Sequence, residues 1–431
     1  MHRSMKIVLS AAATMVMVLG GCSSGGSAGG GSGDTLTLAG WSLASTPEFQ
    51  ALADGFNATN PAHKVEVKEY DATNYDTQMI ADLAAGTAPD IYVQKNPKNF
   101  FTYQSGEQLL DVSDIAGELD PNVKGAEFYQ VDGKTWAIPY RQDGQILYYN
   151  KDLFKKAGVA EPDGSWTWDD YGKAAEELAP ELKSDGAKGT YQHNWQSIVQ
   201  APAYAQSPGA DILSADYGFM KPYYEQSLDL QAAGAQEDYG NVVTNKLTYQ
   251  AQFGTQKTAM MTMGTWYIAT LITQQKNGEA QDFEWGIAPL PQYDSSTAGL
   301  DKIPVTVGDP TGLGINAGID KGKVETAKAF LRYVASADAA TSLTGVGITP
   351  AYASDAITEA FFTVEGTPTD DLSKFAFGTR DIRPENPVSE HTAAIQNILN
   401  ETDSAIRSKS VSVDEGLTQA QQRVKAEVLN G

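Results

Sequence analysis

Hydrophobic positions along the chain change period in a regular way. Thr35–Trp41 (TLTLAGW) is short, β-branched and apolar, which predicts a buried strand leading into a loop at Gly40–Trp41. Thr46-Pro47 predicts a helix start, with threonine as N-cap and proline in the first helical position; Phe49, Leu52, Ala53 and Phe56 then share one face. Asn60-Pro61 stops that helix, and KVEVKEY (64–70) alternates as a strand. Met79, Ile80 and Leu83 recur at helical spacing up to Gly86, a natural left-handed C-terminal residue, and PDIYVQKN (89–96) returns as a strand. This β-α-β-α-β order predicts parallel strands flanked by helices, an α/β class.

The second half has the same texture. A turn at Gly164 precedes Thr167, a candidate N-cap with Asp169 and Asp170 at the positive helix start, and Tyr171, Ala174, Ala175, Leu178 and Leu182 form one stripe. Two more amphipathic helices carry Val324, Ala327, Leu331 and Val334, and Ile395, Ile398, Leu399, Thr402 and Ile406. Ser412 with Glu415 spells a capping box for a last helix running through Val413, Leu417, Ala420, Val424 and Val428. Met260, Met261 and Met263 read as a buried strand. DPTGLGIN (309–316) reads as a glycine-rich turn between strand-like runs; it lacks the lysine of a phosphate-binding loop. Between roughly 200 and 320 the pattern is less regular.

Composition narrows the class. Arg3 and Lys6 precede an apolar run, Ile7–Leu19, shorter than the ~20 residues of a transmembrane span. Leu-Gly-Gly-Cys follows, and Cys22 is the single cysteine. The stretch resembles a bacterial lipobox, so we expect a signal peptide over 1–21, acylation at Cys22, and a Gly/Ser/Ala tether up to residue 34. The net charge of −23 argues against nucleic-acid or anionic-membrane surfaces as partners. With one cysteine and four scattered histidines, no disulfide or common metal motif is spelled, and HExxH, CxxC, GxSxG and Walker loops are missing. A chain of 431 residues predicts two domains.

Open parallel sheets bind ligands at the carboxyl ends of their strands. The residues arriving there are Trp41–Ser42, Lys95–Asn96 and Arg141–Gln142–Asp143. Amides, charges and indoles mixed in this way suit a polyhydroxylated ligand: hydroxyls need donors and acceptors, and the C–H face of a pyranose rests on an aromatic ring. Trp195, in YQHNWQS beside His193, is a further candidate. Trp266, after Gly264-Thr265, fits a ligand-facing ring and a core ring equally. Trp166 and Trp168 read as packing; Asp54, Asp82 and Glu177 read as solvated helix positions.

LAAGTAPDIYV (83–93), WAIPYRQDGQILYYNKDLFKKAG (136–158) and SWTWDDY (165–171), followed in order by GTWYIA, GLGINAG, KAFLRYVAS and SVDEGLTQAQQRV, resemble the extracellular solute-binding proteins of bacterial ABC importers. The branch is the oligosaccharide one related to maltose-binding protein. The resemblance implies a two-lobed α/β fold with a hinge, residues 35–142 plus 312–355 forming one lobe and 143–311 plus 356–431 the other. The chain would cross near Arg141–Gly144, near Pro310–Asn316 and around 352–365. It further implies ligand contacts from Trp41, Lys95, Asn96, Gln142, Asp143, Trp266 and the Asp309–Thr311–Gly312 turn, with Arg383 of TRDIRP an additional candidate. It implies no cofactor, no metal and no catalysis: a monomeric receptor on the outer face of the cell membrane, in a Gram-positive-type envelope, handing a carbohydrate to permease subunits. The charged Tyr-Arg-Gln-Asp stretch leaves room for a charged glycoside. A peptide, polyamine or iron-chelate cargo, and a two-carboxylate glycoside hydrolase, are the alternatives.

Overall fold

The computed structural model describes residues 35–44 and 47–430, so the signal, Cys22 and the tether lie outside the described residues. Among the described residues thirteen strands follow in chain order. Strands β1 (Thr35–Trp41), β2 (Lys64–Tyr70) and β3 (Ile91–Gln94) pair in parallel, as their intervening helices require. A small ribbon, β4 (Gln130–Val131) with β5 (Lys134–Thr135), precedes β6 (Ile138–Gln142). The first sheet has the order β2-β1-β3-β12-β6, where β12 (Pro310–Ile315) arrives late in the chain and runs antiparallel between β3 and β6. The glycine-rich segment read as a turn is therefore a central strand. Its glycines let neighbours close in: a Cβ at Gly312 would lie 2.7 Å from the Tyr129 ring, and one at Gly314 2.4 Å from Leu109.

The first helix, Glu48–Thr59, corrects the expected cap: Pro47 occupies the N-cap position, and Thr46 is outside the described residues. Phe49, Leu52, Ala53 and Phe56 are buried against the sheet, with Phe56 edge-on to Phe330 at 5.2 Å. Tyr75–Ala85 ends at Gly86, whose φ of +70° is the left-handed one anticipated. Its apolar face is rotated from the expected stripe, however: Tyr75 and Met79 are buried while Ile80 points to solvent. Val324–Val334 packs on the same core.

The second sheet, β10-β7-β9-β8, joins β7 (Gln145–Asn150), β8 (Lys188–Tyr191), β9 (Thr258–Gly264) and β10 (Trp285–Ala288). Here β7 is antiparallel to β9 and β10, and β8 is parallel to β9. Every position of β9 is buried: Met260 faces one core with Leu147 and Tyr149, and Met261 and Met263 face another with Ile146 and Tyr148. Thr167 and Asp170 form a reciprocal capping box on helix Trp168–Leu182. Ser412 caps Val413–Val424, but the Glu415 carboxylate accepts from Gln419 rather than closing a box. Strands β11 (Val305–Val307) and β13 (Asp381–Arg383) form a parallel pair beside β7.

The chain passes between sheets at Asp143–Gly144, the two residues separating β6 from β7, and again at Gly308–Asp309, between β11 and β12. A third passage lies between Ile348, in the core of the first sheet, and Phe361, in the core that Met261 and Met263 face. The fold is two-lobed, with mixed sheets flanked by helices. Among the described residues no helix is long and apolar enough to cross a membrane.

Candidate ligand cleft

Because only two residues link β6 to β7, the carboxyl edge of the first sheet faces the edge of the second where β7 starts and β8 and β9 end. One wall grows directly from strand ends. Trp41, the last residue of β1, is half-buried, edge-on to Phe49 and Tyr75 at 4.9 Å each. Ser42 follows with φ +53°, left-handed for a non-glycine residue. The Lys95 ammonium lies 5.1 Å from the Trp41 ring centroid and donates to the Ala72 carbonyl at 2.7 Å; burial lowers its pKa. Asn96 caps helix Pro97–Ser105, its Oδ1 accepting from the Lys98 amide, and the Thr311 hydroxyl donates to the Lys95 carbonyl at 3.4 Å.

The opposite wall is aromatic. Trp195 is 42 % exposed and stands edge-on to His193, 4.5 Å between centroids, with Tyr249 at 5.7 Å and Trp266 at 6.4 Å. Trp266 is half-buried, and its ring lies across Gly264 so closely that a Cβ there would come within 1.9 Å. The turn carrying Trp195 is held from behind by Arg407, whose guanidinium donates to the carbonyls of Gln192, His193 and Trp195 at 3.4, 2.9 and 3.4 Å. Asp403 backs Arg407, and both are buried. Tyr191 donates its single hydroxyl proton to the Leu247 carbonyl, so His193 Nδ1, 3.0 Å away, is the donor to that oxygen. Burial, and then the Arg407 charge, push His193 down to about 4.

Between the walls runs a buried polar chain. Arg141 Nη1 donates to Glu48 at 2.6 Å and Nε to Asp143 at 2.5 Å; Thr265 donates to the other Asp143 oxygen at 2.7 Å, and Thr349 donates to Thr265 at 3.2 Å. Burial opposes the Arg141 charge, but Asp143 and Glu48 outweigh it and raise its pKa. Burial raises Glu48, and Arg141 pulls it partly back.

Several residues expected on the ligand are thus engaged inside the hinge. Both Asp143 oxygens are taken, and the Gln142 amide donates to the carbonyls of Asp143 and Gly308 at 3.3 and 3.5 Å. Asp309 accepts from the Glu385 and Asn386 amides and from Asn386 Nδ2, at 2.8, 3.1 and 2.6 Å, pinning 385–386 to the second passage. Burial raises Asp309, and burial with the Asp309 charge raises Glu385. Gly312 is covered by Tyr129, and Arg383 donates to Asp381 and to the Ala205 carbonyl. The charge noticed in Tyr-Arg-Gln-Asp is consequently neutralised within the protein. Tyr249, Thr265, Arg407 and Arg380 were not singled out from sequence; Arg380 was hidden beside Arg383 in the same short segment. Trp168, as expected, packs, donating from its indole to Gln206 at 2.8 Å. Among the described residues no group of three or more His, Cys, Asp or Glu could hold a metal ion.

The family model for bacterial extracellular solute-binding proteins matches residues 40–341. A crystal structure of a sugar transporter of Rhizobium etli, in an open conformation, superposes with a TM-score of 0.79 at 30 % identity, covering 91 % of this chain and 99 % of that one. An ABC substrate-binding protein of Listeria monocytogenes in complex with cycloalternan shares the fold, with a TM-score of 0.74 at 18 % identity over 91 % and 98 % of the two chains. The sn-glycerol-3-phosphate-binding periplasmic protein of Escherichia coli is 32 % identical over 184 residues, and that match spans 40 % of each chain. With the model match extending over well more than half its length, the chain belongs to the family of bacterial extracellular solute-binding proteins.

Proposed function

We propose that this protein captures a polyhydroxylated solute, a sugar or polyol, between its lobes and presents the closed form to the permease of an ABC importer. The observation that carries this reading is the pair of aromatic walls, Trp41 with Lys95 on one sheet edge and Trp195 with Trp266 on the other, facing across a two-residue hinge. Indoles give stacking faces for C–H surfaces, and nearby amides and charges serve hydroxyls. The names of similar proteins agree with this reading: a sugar transporter, a binding protein in complex with cycloalternan, and an sn-glycerol-3-phosphate-binding protein. Ligand contacts from both walls would favour the closed state by population shift.

In this reading Trp41, Ser42, Lys95, Asn96, Trp195, Trp266 and Thr311 line the cleft. Gln142, Asp143, Asp309, Gly312 and Arg383 organise the hinge, and the lobe boundary moves to Pro310, where β12 begins. The protein binds without catalysis. Asp309 and Glu385 are neighbours, but Asp309 Oδ1 already holds two backbone amides and Oδ2 the Asn386 side-chain amide, which does not suit a hydrolase pair. Acylation at Cys22 would moor a monomer to the outer membrane face of a single-membrane cell. A thermal-shift screen over sugars, polyols, peptides and polyamines tests the reading. Stabilisation by sugars or polyols is expected; a response to peptides or polyamines alone would overturn it. Release of a Cys22→Ser variant into the medium, still able to bind, tests the anchor; its retention on the membrane would refute it.

A further inference from the structure

Among the described residues, Arg141, Arg332, Arg383, Arg407 and Arg423 each pair with a carboxylate; Arg380 has none. Its side chain is half-buried, and Nη1 is fully enclosed with no hydrogen-bond partner. An enclosed guanidinium nitrogen without an acceptor is costly, and natural folds seldom leave one. The plane of the group is fixed by the Phe377 ring, 4.9 Å from the guanidinium carbon. Burial lowers Arg380 to about 10, which leaves it cationic at neutral pH; Asp143 is the charged group that offsets part of this burial. Asp143 is already committed to Arg141 and Thr265.

Its position is the cleft floor. A Cβ built on Gly144, the hinge residue between the sheets, would lie 3.6 Å from Arg380 Nη1. Tyr148 donates to the Gly264 carbonyl at 2.9 Å, and the Trp266 ring lies across Gly264. Arg380 and Trp266 therefore flank the same Tyr148–Gly264 pair. We infer that Arg380 is the anion-reading group of this cleft, and that the ligand is a polyol or sugar bearing an oxyanion, carboxylate or phosphate, seated beside Trp266. A guanidinium presents a fixed fork of donors that matches both groups. The inference rests on the polyol reading above and adds the charge of the cargo.

The test is calorimetric titration with matched pairs: glycerol phosphate against glycerol, a uronic-acid disaccharide against its neutral parent, and inorganic phosphate alone. The anionic member of one pair is expected to bind at least about tenfold more tightly than its neutral partner, and which pair responds identifies phosphate or carboxylate as the source. Arg380→Gln should level that pair by weakening only the anionic member, and Arg380→Lys should recover part of the difference. Equal affinity for both members in the unaltered protein would overturn the inference while leaving the polyol reading standing. So would an equal loss for both members in Arg380→Gln with an unchanged melting temperature. As a check needing no variant, the anionic preference should shrink as sodium chloride is raised; a preference for the neutral members at every salt concentration would also overturn it. If no member of any pair binds, the polyol reading falls and the assignment falls with it.

Discussion

The two walls of the cleft are built on different principles. Trp41 is the last residue of a strand, and Lys95 follows another directly, so that wall inherits the rigidity of the first sheet. Trp195 stands on a turn beyond β8 whose carbonyls are gathered by Arg407, from a helix 212 residues further along the chain. One wall is positioned by local hydrogen bonding, the other by a single remote side chain. The second kind is easier to disturb without touching the ligand.

The largest effect expected from that contrast is on stability. Arg407→Ala leaves Asp403 buried without its counter-charge, held only by the Tyr224 hydroxyl, and frees three carbonyls, which should cost about 3–5 kcal/mol in denaturant unfolding. Should Trp41→Ala cost as much, the contrast between the walls is wrong. Acid should act on the same wall. The His193 pKa of about 4 lies below its ordinary 6.5, so the unfolded chain takes up the proton first as pH falls. The stabilisation is whole above about 6.5 and is lost toward 4, up to about 3 kcal/mol. His193→Gln should flatten the melting-temperature slope over that window; an unaltered slope would remove histidine from the account.

Smaller effects separate contact from support. Trp266→Ala should weaken ligand binding by at least about tenfold, ~1.4 kcal/mol, with little change in melting temperature. Asp143→Ala should weaken binding and also lower stability, because it strips Arg141 and Thr265 of a partner. A binding loss without a stability loss would return Asp143 to the ligand. The smallest effect is that of Lys95→Gln, which removes the cation held beside the Trp41 ring and should weaken binding by less than Trp266→Ala does.

Legibility in the sequence follows the range of the interactions. Gly86, Gly164 and Thr167 announced their roles because the signal lies within a few residues, β2 carried its own alternation, and β1 was a short apolar run. Strand β12 did not: PTGLGI has the composition of a turn, and it is a strand because Tyr129 and Leu109 press on its glycines from elsewhere in the chain. Trp41 stands out because it ends a strand, and Trp195 and Trp266 because they follow β8 and β9 within a few residues. The hinge carboxylates could not be sorted from ligand contacts. Whether Asp143 faces solvent or Arg141 depends on Glu48, 93 residues from the arginine. Arg380 and Arg383 are alike in sequence; only the carbonyl of Ala205 and the carboxylate of Asp381 beside Arg383 distinguish them.

The insertion of β12 between β3 and β6 also governs how the protein comes into being. The first lobe lacks a central strand until residue 315 is available, and its Val324–Val334 helix arrives later still. The lobe nearest the amino terminus therefore cannot close its core first. Until Ile315 has emerged, the facing edges of β3 and β6 stay unpaired, a slow and aggregation-exposed interval for a fold dominated by distant pairings.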